Sequence, residues 1–324
     1  MKVLITGGTG FIGSNLTKRL LSQGWKVKVL VRKGHVTKKN NPKVVVGDLT
    51  DLNSINEAVK DVEVVFNCAA ALPYHKLPER EYWNANVLGV KNVVKACQKQ
   101  GVDRLVHVST VGVYGAATDG IIDERSPLVL GDVYSRTKAQ GDKLVFSAIK
   151  SKKLQATIVR PTIGYGPGDL RPGFLNLFKL IKKRFFIPIG NGENYFHTIY
   201  VENLLDALIL VAEKKESVGT DFIIGDEPCS TMGEILKELS KITNVELLPL
   251  KIPLFVAEAA GRVFDVTGKF GLPAPLNSQR VNFLTENRRY SIKKAKNMLG
   301  YKPEKSLPEA LKETYSWYRE NGYL

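Results

Sequence analysis

The sequence has few of the residues from which disulfide frameworks and metal centres are built. Its 324 residues include three cysteines, Cys68, Cys97 and Cys229, and four histidines. These residues are widely dispersed, and none forms a pair at the spacing of metal ligands. We therefore expect no metal centre and no disulfide framework, and the pattern predicts a cytoplasmic protein with reduced thiols.

Long apolar runs and acidic residues are also scarce. No apolar stretch approaches the roughly 20 residues of a membrane-spanning helix, and the first residues read as a core strand rather than a signal peptide. With 32 Asp and Glu against 47 Lys and Arg, the formal net charge is +15. That charge favours anionic partners. The basic residues are scattered, however, and carry no nucleic-acid-binding motif, so we expect no nucleic-acid partner.

What the sequence does contain begins with three glycines near the N-terminus. An apolar run over 2–5 predicts a strand, and apolar residues at helical spacing predict a helix over 11–23. A strand, a glycine turn and a helix are typical of a dinucleotide site, because glycines allow a tight turn and a close approach of the pyrophosphate. The free N–H groups of the helix N-terminus then face the phosphates. The predicted contacts are Gly7, Gly10, Phe11, Ile12 and Gly13.

Predicted strands and helices alternate through the first half of the chain. Their lengths suit right-handed βαβ units, so we expect an α/β protein with a Rossmann-type, doubly wound parallel sheet. Ligands of such sheets bind beyond the carboxyl ends of the strands. The residues that follow predicted strands, and therefore converge on that edge, are Gly7, Arg32, Asp48, Ala69, Thr110 and Pro161.

The character of the chain changes after the sixth predicted strand. We expect a cofactor-binding domain of residues 1–165, to which residues 197–226 return. Residues 166–196 and 227–324 are rich in turn formers and in helices broken by proline, and they predict a smaller, mainly helical substrate lobe. The apolar stretch 252–276 lines a hydrophobic pocket, contacts a membrane surface or forms the core of this lobe, and the sequence leaves these alternatives open.

A tyrosine and a lysine carry the chemistry that we predict. Tyr134 and Lys138 lie four residues apart on a predicted helix over 133–151, and hence on one face. A nearby ammonium and an oxidised nicotinamide would lower the tyrosine pKa from its usual value near ~10, so that Tyr134 exchanges a proton with an alcohol oxygen. Lys138 would also hold a ribose hydroxyl. Thr110 or Ser109, after the fifth predicted strand, would steady the same oxygen.

Together these segments resemble an extended short-chain dehydrogenase/reductase of the NAD-dependent epimerase/dehydratase superfamily. The matching segments are spread along the first half of the chain, at residues 6–13, 47–49, 67–70, 86–89, 109–115, 134–138 and 160–168. The resemblance implies an enzyme with a Ser/Thr–Tyr–Lys triad, here Thr110, Tyr134 and Lys138, with Ser109 second for the hydroxyl. It also implies a homodimer formed through the helices over 79–100 and 133–151.

The resemblance further implies cofactor contacts outside the glycine turn. Asp48 would contact the adenine, and Ala69 would line the nicotinamide side. The remaining contacts that it implies are Leu49, Tyr134, Lys138, Pro161 and Ile163.

Residues at the end of the second predicted strand bear on the choice of cofactor. NAD-preferring relatives usually have an acidic residue there, which binds the ribose 2′-hydroxyl. This chain has Val31 followed by Arg32 and Lys33. Because a guanidinium suits a 2′-phosphate, we predict that NADP(H) is preferred over NAD(H) and that Arg32 contacts it.

Two further differences from other members of this superfamily narrow the range of expected substrates. Sugar dehydratases of this superfamily carry an Asp-Glu pair after the catalytic Thr, where this chain has Val111 and Gly112. Nucleotide-sugar epimerases typically place an arginine for the substrate diphosphate where this chain has Phe196. The surrounding segments 190–196 and 284–290 are more similar to the 3β-hydroxysteroid dehydrogenase and dihydroflavonol reductase-like branch, which implies a neutral, often lipophilic substrate.

We therefore predict an NAD(P)-dependent oxidoreductase that transfers a hydride between nicotinamide and a secondary alcohol or ketone. One alternative is a nucleotide-sugar C4-type epimerase with tightly bound NAD, since the triad alone does not exclude it. Another, from a different class, is a catalytically inactive nucleotide-binding regulatory protein.

Overall fold

The fold is described by a computed structural model, which covers residues 1–34, 42–116, 120–269 and 276–324. Most of the predicted polar loop after the second strand, and residues 270–275 of the predicted apolar stretch, lie outside this description. Within it the strands are β1 (Lys2–Thr6), β2 (Lys26–Val31), β3 (Lys43–Val46), β4 (Val64–Asn67), β5 (Arg104–Val108), β6 (Ala156–Pro161), β7 (Ile163–Tyr165), β8 (Thr198–Tyr200) and β9 (Asp221–Ile224).

Helices of very different length connect and cover these strands. They are α1 (Phe11–Ser22), α2 (Leu52–Ala58), α3 (Glu79–Trp83), α4 (Gly89–Gln100), α5 (Val133–Lys150), α6 (Phe174–Lys182), α7 (Val201–Glu213), α8 (Met232–Thr243), α9 (Leu254–Lys269), α10 (Ser278–Thr285), α11 (Lys293–Leu299) and α12 (Leu307–Glu320).

A parallel sheet of seven strands forms the centre of the molecule, in the order β3-β2-β1-β4-β5-β6-β9. Both of its faces are covered, so its central strands are apolar on both sides. In β1, Val3 and Ile5 pack into one core while Leu4 packs into the other. The predicted doubly wound parallel sheet is thereby confirmed. The strand order reverses beside β1, which opens a crevice at the carboxyl ends of β1 and β4.

The long helix predicted over 79–100 is interrupted by a π-helical turn, Asn84–Leu88. The turn brings the Asn86 side chain to the loop after β4, where its Oδ1 accepts from the Ala71 N–H at 2.9 Å. Its Nδ2 lies 3.1 Å from the Thr137 hydroxyl of α5. A Cβ on Gly141 would come within 2.6 Å of the Asn86 carbonyl, so the two helices approach closely here. The irregular turn therefore ties the loop after β4 to α5.

The remaining elements lie mainly after β6. Strands β7 and β8 form a separate two-stranded parallel sheet, and β9 pairs with β6 at the edge of the large sheet. In α9, Ala257 and Gly261 are buried, whereas Phe255 and Val263 are exposed, so this apolar helix does not simply form a lobe core. Among the described helices none is long and apolar enough to cross a membrane. The division into two domains and the homodimer remain predictions.

Candidate active site

The glycine turn between β1 and α1 is as compact as the sequence predicted. Gly7 has a φ of +68°, and a Cβ there would lie 2.7 Å from the Ala69 Cα after β4. A Cβ on Gly13 would lie 2.3 Å from the Gly7 carbonyl oxygen, and the Gly10 N–H donates to that same oxygen at 2.9 Å. Larger residues at these positions would push α1 away from β1 and the turn away from β4.

The N-terminus of α1 faces the crevice without a side-chain cap. Gly10 is its N-cap residue and has no side chain with which to cap the helix, and the first turn contains no acidic residue. The first helical N–H groups, including those of Phe11 and Ile12, have no intrahelical acceptor. Such an end attracts anions because free donors and the helix dipole act together. The turn thus fits the pyrophosphate of a dinucleotide.

Two charged residues mark the ends of β2 and β3, where the adenosine half of a dinucleotide would lie. Arg32 is exposed after β2. The Asp48 carboxylate after β3 accepts hydrogen bonds from the Thr50 N–H at 2.8 Å and hydroxyl at 2.7 Å. These bonds hold the pKa of Asp48 below its ordinary value, and the charge of Arg32 adds to the effect. The neighbouring Leu49 accepts from the Asn92 side chain through its carbonyl at 2.8 Å.

Other predicted contacts lie along the same sheet edge. Ala69 follows β4, and its N–H donates to the Thr6 hydroxyl at 3.3 Å. Pro161 was expected to stop the sixth strand. Instead it is the last residue of β6 and pairs with Ile224 of β9. Ile163 lies in β7 and is half-buried.

The predicted tyrosine lies in the first turn of α5. Asp132 caps this helix by accepting from the Ser135 N–H at 2.7 Å, which fixes the turn that carries Tyr134. Burial raises the pKa of Tyr134 to about 12. A hydrogen bond with the Thr110 hydroxyl and the nearby charge of Arg171 oppose that rise. In the cofactor-free protein, Tyr134 is therefore a neutral phenol.

Of the two candidate hydroxyls, Thr110 is the one beside Tyr134. Its Oγ1 accepts from the Gly112 N–H at 3.0 Å and thereby caps the short helical turn Val111–Tyr114. Ser109 is buried, and its Oγ has no hydrogen-bond partner among the described residues.

The predicted lysine is among the most buried charged groups of the protein. Lys138 is 1% exposed, and its Nζ donates to the Val108 carbonyl at the end of β5, at 2.8 Å. Burial lowers the pKa of Lys138 to about 8, although the carboxylate of Asp142, one helical turn further on, acts in the opposite direction. The ammonium therefore sits at the edge of titration near neutral pH.

Comparison with known proteins agrees with this geometry. Residues 3–225 match the NAD dependent epimerase/dehydratase family. The chain belongs to this family. It is 28% identical over 325 residues to a UDP-glucose 4-epimerase from Vibrio cholerae, covering 96% of this chain and 94% of the relative. It is also 30% identical over 332 residues to a mouse protein named sterol-4-alpha-carboxylate 3-dehydrogenase, decarboxylating. That alignment covers 97% of this chain and 90% of the relative.

A solved structure agrees as well. The crystal structure of gox2253 superimposes with a TM-score of 0.84 at 25% identity, covering 99% of both chains. The resemblance to extended short-chain dehydrogenases/reductases is thereby confirmed, and so is the prediction that the chain is an enzyme. This leaves no support for the alternative of an inactive regulatory protein.

One site residue of this family member was missed by the sequence reasoning. The Arg171 guanidinium is bound by Asp169, with its Nε 2.6 Å from Oδ1 and its Nη2 2.9 Å from Oδ2. It also donates to the Gly164 carbonyl at 2.8 Å and stacks 4.4 Å above the Phe11 ring. Because it acts on the Tyr134 pKa, it links the glycine turn to Tyr134. No sequence pattern marks it, since its loop lies far from both.

A buried cluster of charges behind Lys138 was also missed. Asp142 accepts from Arg160, whose Nη2 lies 3.0 Å from Oδ2, and Arg160 also pairs with Asp221. On its other side, Asp142 Oδ1 lies 3.5 Å from His107 Nε2. Burial lowers the pKa of His107 below its usual value. One signal was available, because Asp142 follows Lys138 at the same helical spacing at which Lys138 follows Tyr134.

The lowered pKa of Lys138 predicts a specific dependence of stability on pH. The native lysine loses its proton near pH 8, whereas the unfolded lysine keeps its proton to about 10.5. Between these values the unfolded state binds more protons, so this group makes the protein more stable as pH rises. We expect Lys138→Met to be more stable than the native protein near pH 7 and to lose that advantage, worth about 3 kcal/mol, by pH ~10.

The measurement is urea unfolding of both proteins between pH 7 and ~10, read as the difference between their free energies of unfolding. Lys153→Met, at an exposed lysine after α5, is the control and should show no such trend. A constant difference for Lys138→Met would contradict the buried-lysine interpretation.

Proposed function

We propose that this enzyme is an NAD(P)-dependent oxidoreductase acting on a secondary alcohol or ketone. The observation that supports the proposal is that Thr110 hydrogen-bonds with Tyr134 and Lys138 bonds the end of β5, at the carboxyl edge of the sheet where the glycine turn also lies. A bound nicotinamide would supply the hydride acceptor or donor. The protein's own residues would transfer the proton and position the substrate oxygen.

Tyr134 exchanges the proton of the substrate oxygen. Because its pKa is about 12 without cofactor, it needs additional positive charge to act as a base near neutral pH. Arg171 supplies positive charge that lowers the Tyr134 pKa, and Lys138, one helical turn away, would add to it when protonated. Thr110 donates a hydrogen bond that steadies the substrate oxygen beside the phenol, and Lys138 also holds a ribose hydroxyl.

The substrate that we propose is neutral and lipophilic. Phe196, at the position where nucleotide-sugar epimerases typically carry an arginine, is buried and packs edge-to-face on Phe283 with the ring centres 5.3 Å apart. A buried aromatic pair offers nothing to a diphosphate. The name of the mouse relative, a sterol-4-alpha-carboxylate 3-dehydrogenase, fits a lipophilic alcohol.

An epimerase that oxidises and re-reduces a nucleotide sugar on tightly bound NAD is the second candidate. What favours it is the similarity, over nearly the full length of both chains, to the Vibrio cholerae protein named UDP-glucose 4-epimerase. The same triad would serve that reaction. The two candidates therefore differ in which cofactor is bound, how tightly it is held, and which substrate is accepted.

The first test removes one oxygen atom. Tyr134→Phe keeps the ring and loses the proton-transferring hydroxyl, so we expect kcat to fall by about 10²–10⁴. NADPH consumption with a panel of lipophilic ketones, sterol ketones among them, measures this. Tyr323→Phe, near the C-terminus, is the matched control and should keep native activity. Native kcat in Tyr134→Phe would refute the proposal.

The second test addresses our proposal that NADP(H) is preferred. Arg32 is the exposed cation after β2 and would pair with a 2′-phosphate. Arg32→Asp replaces that partner with a repelling charge, so we expect NADPH to bind about 10- to 100-fold more weakly, with NADH affected much less. Titration of intrinsic fluorescence with both nucleotides measures the two affinities.

Lys153→Asp makes the same change of charge at a distant exposed lysine and serves as the control for Arg32→Asp. An unchanged ratio of NADPH to NADH affinity in Arg32→Asp would remove Arg32 from the cofactor site.

A further inference from the structure

Helix α9 has its apolar side turned outward. Phe255, Val263 and Val266 recur at helical spacing, and the first two are 72% and 60% exposed. Val256 and Ala259 lie on the same side of the helix and are exposed too. The 16 residues of α9 would extend about 24 Å along a surface.

The charged residues Glu258, Arg262 and Asp265 lie along the side of α9 nearest to α10, where Arg262 and Asp265 remain exposed. Asp265 accepts from the Ser278 N–H at 3.3 Å at the start of α10, and Glu258 and Arg262 line a cleft between the two helices together with Asn282. A surface helix normally buries its apolar stripe and exposes its charges. In α9, by contrast, Phe255, Val263 and Val266 are exposed beside these charges, so its outer face is suited to an apolar environment next to charged groups.

A second exposed segment lies beside the start of α9. The Ile252 N–H donates to the Pro188 carbonyl at 2.8 Å, and the Gly190 N–H donates to the Ile252 carbonyl at 2.9 Å. These bonds hold the chain after α6 next to the residues that lead into α9. Phe185 in that chain is 74% exposed, and Leu250 is also exposed. Phe185 and Leu250 therefore add exposed apolar side chains near the start of α9.

Basic residues surround this apolar surface at the α6 end. Lys182, Lys183 and Arg184 precede Phe185, and Lys251 precedes α9; all four are exposed. The segments 174–192 and 247–257 contain no acidic residue. We name the outer face of α9, the turn 182–185 and residues 250–251 the basic-apolar surface. It combines hydrophobic side chains with a local excess of positive charge.

We propose that the basic-apolar surface docks the enzyme on an anionic lipid bilayer. Aromatic and aliphatic side chains enter the interface between headgroups and acyl chains, while lysine and arginine pair with the headgroup charges. The formal net charge of +15 attracts the whole protein to the same surface. A second copy fits less well, because a two-fold contact pairs this surface with itself and would bring two sets of four basic residues into one interface.

The proposal does not depend on the proposed hydride transfer, and its test is binding rather than activity. The full-length protein is floated with vesicles of phosphatidylcholine alone or with about 30% phosphatidylserine. We expect binding only to the anionic vesicles, and its loss at about 0.5 M NaCl. Phe255→Ser combined with Val263→Ser should reduce the bound fraction at least about tenfold, as should Lys182→Glu combined with Lys183→Glu.

Two controls separate docking from general effects. Met298→Ser changes an exposed apolar side chain on α11, and Lys153→Glu changes an exposed charge elsewhere; both should bind vesicles like the native protein. Tyr134→Phe should also bind normally, which keeps this test separate from that of the proposed function.

Three results would overturn the proposal. The first is an absence of binding to anionic vesicles, and the second is binding that Phe255→Ser with Val263→Ser leaves unchanged. The third is a native dimer that this double variant converts to monomers, which would assign the surface to self-association.

Discussion

The burial of the Lys138 ammonium is the constraint on which the rest of the active site depends. A charged group with so little exposure must be stabilised by protein groups rather than water. The Val108 carbonyl accepts one of its hydrogen bonds, and the Asp142 carboxylate supplies the opposing charge. Asp142 in turn is held by Arg160. The lysine therefore fixes how α5 lies against the ends of β5 and β6.

Because α5 is fixed in this way, the reactive phenol is fixed as well. Tyr134 stands one helical turn before Lys138, at the capped start of the same helix. The π-helical turn adds a second tie, since Asn86 joins α5 to the loop that carries Ala69 and Ala71. That loop meets Gly7, where only glycine fits. The glycine turn and Tyr134 are thus held in a fixed position relative to each other.

Local features of this protein were predictable from the sequence. The parallel sheet, the glycine turn and the Tyr134–Lys138 pair each follow from short-range patterns of periodicity and spacing. Spacing alone leaves Ser109 and Thr110 open, because the choice depends on which side chain the end of β5 buries, and only the family resemblance favours Thr110. Arg171 lies in a loop without periodicity, and only the folded chain brings it to Tyr134. The outward apolar face of α9 was equally hidden, since a helical period does not say which side faces the protein.

We propose above all that this family member uses its cofactor as a reversible co-substrate and prefers NADP(H). The most direct measurement is to denature the purified protein by heat, identify any nucleotide that is released, and titrate the native protein with NADPH and NADH. We predict far less than one equivalent of released nucleotide and reversible binding that is tighter for NADPH. One equivalent of NAD(H), retained through purification, would contradict the claim and favour the epimerase.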